Sequence, residues 1–115
     1  MYTYVNGFDK GKVMDVIKAG NRNERAYSGG MCRYLDDDGN KCFIGCFIPD
    51  GHAAQQNRGS ADLLIANWPH LLELLPLNSE EALLSFQRVH DEAMDDESLY
   101  ELAEKWLTEN VQEVA

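Results

Sequence analysis

The sequence predicts an α+β fold: a small antiparallel β-hairpin or sheet, packed against an N-terminal helix and a helical C-terminal half that ends in an αα-hairpin. Three observations carry this reading. The stretch Met31–Asp50, MCRYLDDDGNKCFIGCFIPD, places apolar arms on either side of an Asp-Gly turn, the arrangement of a hairpin. Apolar residues recur at helical spacing both before and after it. Proline at 49 lacks the amide that a further ladder bond would need, so the second arm ends by Ile48. At 115 residues and 44% hydrophobic content the chain has material for one core, and it is read as a single domain over residues 1–115.

The elements follow in order. Asp9 caps a helix whose apolar positions are Val13, Val16 and Ile17, and Gly20-Asn21 stops it. Asn21–Gly30 is polar and contains Arg22 and Arg25, so it reads as a loop, with Tyr27 as its anchor. The hairpin pairs Cys32–Leu35 with Lys41–Ile44 across the turn Asp36–Asn40, whose Asp, Gly and Asn residues favour tight backbone angles. Gly45 marks a bulge or a close backbone approach. Gly51–Gly59 is a polar connector. Ser60 opens a short helix that Trp68-Pro69 breaks, and Pro69 begins another over His70–Leu75 that Pro76 ends. Asn78 caps a helix that runs to about Ala93, with Glu81 reaching back and Leu83, Phe86, His90 and Ala93 along one face. Asp95-Asp96-Glu97 interrupts it. Ser98 and Glu101 then form a second capping box ahead of a helix with Leu99, Leu102, Ala103, Trp106, Leu107 and Val111 on its apolar side.

The pattern C-x-Y-x4-G-x2-C-x-I-G-x2-I-P-D is carried by Cys32, Tyr34, Gly39, Cys42, Ile44, Gly45, Ile48, Pro49 and Asp50. It resembles one found in small uncharacterised proteins of tailed phages and bacteria, and the segment Leu84–Asp91 with its His90-Asp91 pair is similar as well. The resemblance covers the middle of the chain and part of its C-terminal half. It implies a shared small fold and a phage-like or bacterial origin, and no particular reaction. Cys46 falls at an unspecified position of the pattern.

Charge is distributed unevenly. Up to Gly59 there are eight Lys and Arg against seven Asp and Glu; from Ser60 onward there are two against thirteen, so the second half carries the net charge of -10. Such a field repels phosphates and attracts basic surfaces, which disfavours direct nucleic-acid binding and favours a basic protein partner. No apolar run reaches the roughly 20 residues of a membrane helix. The N-terminus lacks the basic and apolar regions of a signal peptide. With three cysteines, an odd number, and no export signal, the expectation is free thiols in a reducing cytoplasm.

Four kinds of chemistry have candidate residues. Cys32, Cys42, Cys46 and His52 offer a tetrahedral zinc set, although the spacing lacks the paired knuckles of zinc modules. The opposing reading is that these cysteines are small buried hydrophobes. Cys32 and Cys42 on facing strands also suit a disulfide, against the reducing compartment. A cysteine with His52 or His90 and Asp91 would make a nucleophilic enzyme, which requires adjacency in space. Calcium at Asp36–Asn40 fails, because Lys41 and Phe47 stand where the binding loop needs Gly and Glu. Glycine-rich phosphate loops are absent. The leading expectation is a non-catalytic interaction domain of phage or bacterial accessory type. Its contacts fall to the hairpin edge, the Asn21–Gly30 loop or the acidic helices, where Glu80, Glu81, Asp91, Glu92, Asp95, Asp96, Glu97, Glu101, Glu104 and Glu109 could imitate a row of phosphates for a basic or nucleic-acid-binding protein; the opposing reading is an ordinary solvated face. The alternatives are a zinc-stabilised module and a cysteine-dependent enzyme.

Overall fold

The structure, a computed structural model, describes residues 1–28, 31–57 and 59–113. The Gly29-Gly30 end of the expected loop and Arg58 of the connector lie outside the described residues. Among the described residues there are four α-helices: α1 Lys10–Gly20, α2 Ala61–Asn67, α3 Glu80–Asp91 and α4 Leu99–Asn110. Short 3-10 helices occupy Gly45–Phe47, Ala53–Gln56 and Pro69–Glu73. Strands are two residues long. β1 (Tyr2–Thr3) pairs in parallel with β4 (Val111–Gln112), with Tyr2 opposite Val111; β2 (Tyr27–Ser28) pairs with β3 (Met31–Cys32).

The α+β expectation is thereby corrected. The protein is mostly helical, and the hairpin of Cys32–Leu35 with Lys41–Ile44 does not form. Around the Asp-Gly turn only an isolated Leu35–Lys41 bridge remains. Two physical reasons stand out. Asp36 Oδ1 accepts the amides of Asp38 and Asn40 at 2.9 Å each, so a side chain closes the turn and takes an amide that continued pairing would use. Downstream, Cys42, Phe43 and Ile44 are all buried in succession. A hairpin covered on one face only would leave alternate residues outside the core. The chain instead coils, with Cys46 N–H donating to Cys42 O at 3.0 Å, and places all three in the core. Gly45 makes the close approach that its type permits: a Cβ there would lie 2.1 Å from the carbonyl oxygen of Tyr34.

Caps explain the helix boundaries. Asp9 accepts the Lys12 amide at 2.8 Å, and Ser98 accepts that of Glu101 at 3.3 Å. The cap of α3 is Ser79, bonded to the Ala82 amide at 3.1 Å, while Asn78 turns back to accept the Thr3 amide. α3 ends at Asp91, two residues before the expected Ala93. Pro69 opens a 3-10 helix over Pro69–Glu73 where a helix over His70–Leu75 was expected.

One contiguous core joins all of this. Val13, Met14 and Ile17 of α1, Phe43, Ile44 and Phe47, Leu83 and Phe86 of α3, and Ala103 and Leu107 of α4 all belong to it. Phe43 stacks on Phe86 at 4.9 Å between ring centroids, and Phe86 meets Trp106 at 5.1 Å. Burying each such ring contributes about 2–3 kcal/mol. α4 returns along α3, and Trp106 Nε1 donates to Ser85 Oγ at 3.3 Å. The Cα radius of gyration is 13.0 Å, the value of about 13 Å expected of one compact body of this length. No helix among the described residues is long and apolar enough to cross a membrane.

Candidate functional site

A cavity of about 310 Å³ opens between the segment Cys32–Tyr34, Cys42, the residues leading into α2, and α3. Its walls include Cys32, Arg33, Tyr34, Leu84, Gln87, Arg88, Asp91 and Glu92. Beside the cavity, the Cys32 sulfur, a ring nitrogen of His90 and a carboxylate oxygen of Asp91 lie within 4.8 Å of one another. Cys, His and Asp are the residue types of a catalytic triad or a metal site, so the hydrogen bonds decide what they do.

His90 is fully buried, and the Ala26 amide donates to its Nε2 at 2.8 Å. An imidazole nitrogen that accepts a hydrogen bond carries no hydrogen, so the ring proton sits on Nδ1. Nδ1 faces Asp91 Oδ1 at 2.8 Å and donates to it. The same oxygen accepts from Gln87 Nε2 at 3.0 Å, and Gln87 Oε1 accepts the Ile44 amide. Both ring nitrogens are occupied. His90 is fully buried, so no water can replace the acceptor that the Ala26 amide would lose in a change of tautomer, and neither nitrogen is free to ligate a metal or to take a proton from Cys32. His90 is a strut that ties α3 to the loop at Ala26, and Gln87 extends it to the core turn at Ile44.

Nucleophilic attack needs a thiolate, which a lowered pKa favours, and all three thiols are shifted the other way. Burial pushes the Cys32 thiol up, Asp91 raises it further, and Arg25 offsets this only in part. Complete burial holds Cys42 well above the usual thiol range, and its sulfur accepts the Gly45 amide at 3.2 Å. Burial raises Cys46 to about 12.

Among the described residues, Cys32, His90 and Asp91 are the one group of three or more metal-ligating side chains that converges. The expected zinc set does not gather. Cys32 and Cys42 border the cavity. Cys46 is carried to α1, where its sulfur lies 3.8 Å from Ile17 O and against Gly20. His52 stands in the connector, with Nδ1 accepting the Ala54 amide and Nε2 2.9 Å from His70 Nε2. All three cysteines are free thiols. Asp36 is buried and internally bonded, so the Asp-rich turn is a structural device.

The acidic residues divide into two groups. Asp91 is spent internally on His90 and Gln87. Glu80, Glu81, Glu92, Asp95, Asp96, Glu97, Glu101, Glu104 and Glu109 are exposed. Among the described residues few of them meet a cation: Asp95 pairs with Arg25 at 3.3 Å and Glu92 lies 4.0 Å from Arg88. Glu97 caps the Met94 amide. Along α4 an open groove of about 630 Å³ is lined by Tyr100, Glu101, Glu104, Lys105 and Glu109, with Lys18 of α1 at its edge. Residues with structural roles that the sequence reading passed over are Gln87, placed three and four positions before His90 and Asp91 on α3, and His70, which has no periodic signal. No family model, curated protein or solved structure matches this chain.

Proposed function

We propose that the protein is a non-catalytic interaction domain of phage or bacterial accessory type, which receives a basic protein surface on its acidic helical half. The observation that carries this reading is the run of exposed, mostly unpaired carboxylates on α3, α4 and the loop between them. Desolvated cations from a partner would find there a field that little in the protein itself neutralises. The groove beside α4 supplies a concave lodging for them. The saturated hydrogen bonds of His90 and the protonated, buried thiols count against a cysteine-dependent enzyme. The dispersal of Cys32, Cys42, Cys46 and His52 counts against a four-ligand zinc module.

The test is affinity capture from a bacterial extract at low and high salt, with the wild type and a Glu101→Gln/Glu104→Gln/Glu109→Gln variant. The expected partner is basic, is released by salt and is lost to the variant. Capture insensitive to both changes removes the reading. So does turnover of a defined substrate that Cys42→Ala or His90→Ala abolishes.

A further inference from the structure

His52 and His70 present the most pointed unassigned geometry in the molecule. Their Nε2 atoms face each other at 2.9 Å, with ring centroids 5.0 Å apart and planes inclined at 41°. Both residues sit on fixed backbone. His52 caps the 3-10 helix Ala53–Gln56, its own N–H donates to Pro49 O at 3.1 Å, and its carbonyl accepts Gln55 N–H at 3.0 Å. His70 lies in the first turn of the 3-10 helix Pro69–Glu73 and is exposed. Trp68 packs its ring edge-on to His52 at 6.1 Å. The pair therefore stands at the surface with solvent access, as an entering ion requires, and His52 Nδ1 holds the Ala54 amide at 2.9 Å in the metal-free state.

We infer that His52 and His70 form a two-imidazole chelate for a divalent, nitrogen-preferring cation of the Ni²⁺, Cu²⁺ or Zn²⁺ class. Imidazole nitrogens bind these ions at about 2.0–2.1 Å. Two ligands at tetrahedral angles are then about 3.3 Å apart, so the rings need to open by only about 0.4 Å from their present 2.9 Å. No third Cys, His, Asp or Glu among the described residues joins them, and the remaining positions fall to water. Ligation also rearranges one proton. His52 Nδ1 accepts the Ala54 amide, so in the resting pair the hydrogen sits on Nε2 and is shared with His70. The ion takes the Nε2 lone pair, that hydrogen leaves to solvent, and Nδ1 acquires one. No net proton is released, and the Ala54 amide loses its acceptor.

The experiment is Ni²⁺ titration of untagged protein, read by calorimetry and by paramagnetic broadening in ¹H–¹⁵N spectra. The expected result is one ion per chain, with broadening centred on the Trp68 indole and the amides of Ala54 and His70, while diamagnetic Zn²⁺ shifts the Ala54 amide. His70→Ala alters an exposed side chain and should fold, and it weakens binding about 100-fold by removing the chelate's effective-concentration advantage. Cys32→Ser leaves binding unchanged. The inference is overturned by undiminished affinity in His70→Ala, by broadening centred on Cys32 and Asp91, or by the absence of binding at millimolar Ni²⁺.

Discussion

Replacing His90 by alanine separates a structural strut from a reactive group. Two losses follow from the structure. The Ala26 amide loses its acceptor in a fully buried setting, which costs about 1–3 kcal/mol. The ring, which meets Phe43 edge-on at 5.4 Å, leaves a cavity in the core, and large-to-small changes of this kind cost about 2–4 kcal/mol. Together they predict a loss of about 4 kcal/mol, a large share of the 5–15 kcal/mol that holds a typical domain. The melting temperature should fall by about 15 °C for a chain of this length. Urea unfolding at neutral pH measures it, with an unchanged denaturant slope showing that the unfolding transition itself is preserved. His90→Gln tests the mechanism further, since a glutamine oxygen can accept the Ala26 amide and should recover part of the loss. A cost below about 1 kcal/mol in the alanine variant would refute the assignment of His90 as a strut.

Three further outcomes follow. Gly45→Ala should destabilise severely, by about 3–5 kcal/mol or to the point of not folding, because its Cβ would stand 2.1 Å from the Tyr34 carbonyl oxygen; circular dichroism during thermal melting reads this. Burial raises the Cys46 thiol to about 12, so the folded state keeps a proton that the unfolded chain gives up near pH 8.5. That contribution is fully present below about pH 8.5 and is lost as pH rises toward the folded value; chemical denaturation across pH 8 to 11 should show falling stability, with a shallower decline in Cys46→Ala. Glu104→Gln/Glu109→Gln alters exposed α4 positions and should keep stability within about 0.5 kcal/mol, so lost partner capture in that variant reports charge and not unfolding.

Helices α1, α3 and α4 were legible because caps and apolar period agree locally: Asp9 before Val13 and Ile17, and Ser98 before Leu99, Ala103 and Leu107. The hairpin was misread because an Asp-Gly turn between apolar arms carries no record of tertiary demand. Three consecutive core residues, Cys42 to Ile44, suit a buried strand and a buried helical turn equally, and the turn won. The α3 cap moved by one residue because Asn78 and Ser79 are both good caps, and Asn78 was claimed by Thr3 from the other end of the chain. The zinc set depended on the hairpin, so it dispersed with it. His90-Asp91 was visible as a pair, but its meaning rests on the Ala26 amide 64 residues away, and no spacing rule contains that bond. The His52–His70 contact bridges 18 residues through two short 3-10 helices, and it escaped for the same reason.

The loop Asn21–Ala26 is held locally, with Asn21 Nδ2 donating to Glu24 O and Asn21 Oδ1 accepting the Asn23 amide, and also by partners far along the chain. Ala26 holds His90, Asn23 Oδ1 accepts the Tyr100 amide at 2.9 Å, and the Tyr100 hydroxyl donates to Asn21 O. The Asn23–Tyr100 bond spans 77 residues. The pair α3–α4 needs only a short connection to close, whereas the Ala26–His90 and Asn23–Tyr100 bonds close spans of 64 and 77 residues at a greater entropic cost. Hydrogen exchange reads the consequence: the amides of exposed Arg22–Glu24 are expected to exchange ahead of those in α3 and α4, and the buried Ala26 amide, held by His90, to follow the helices.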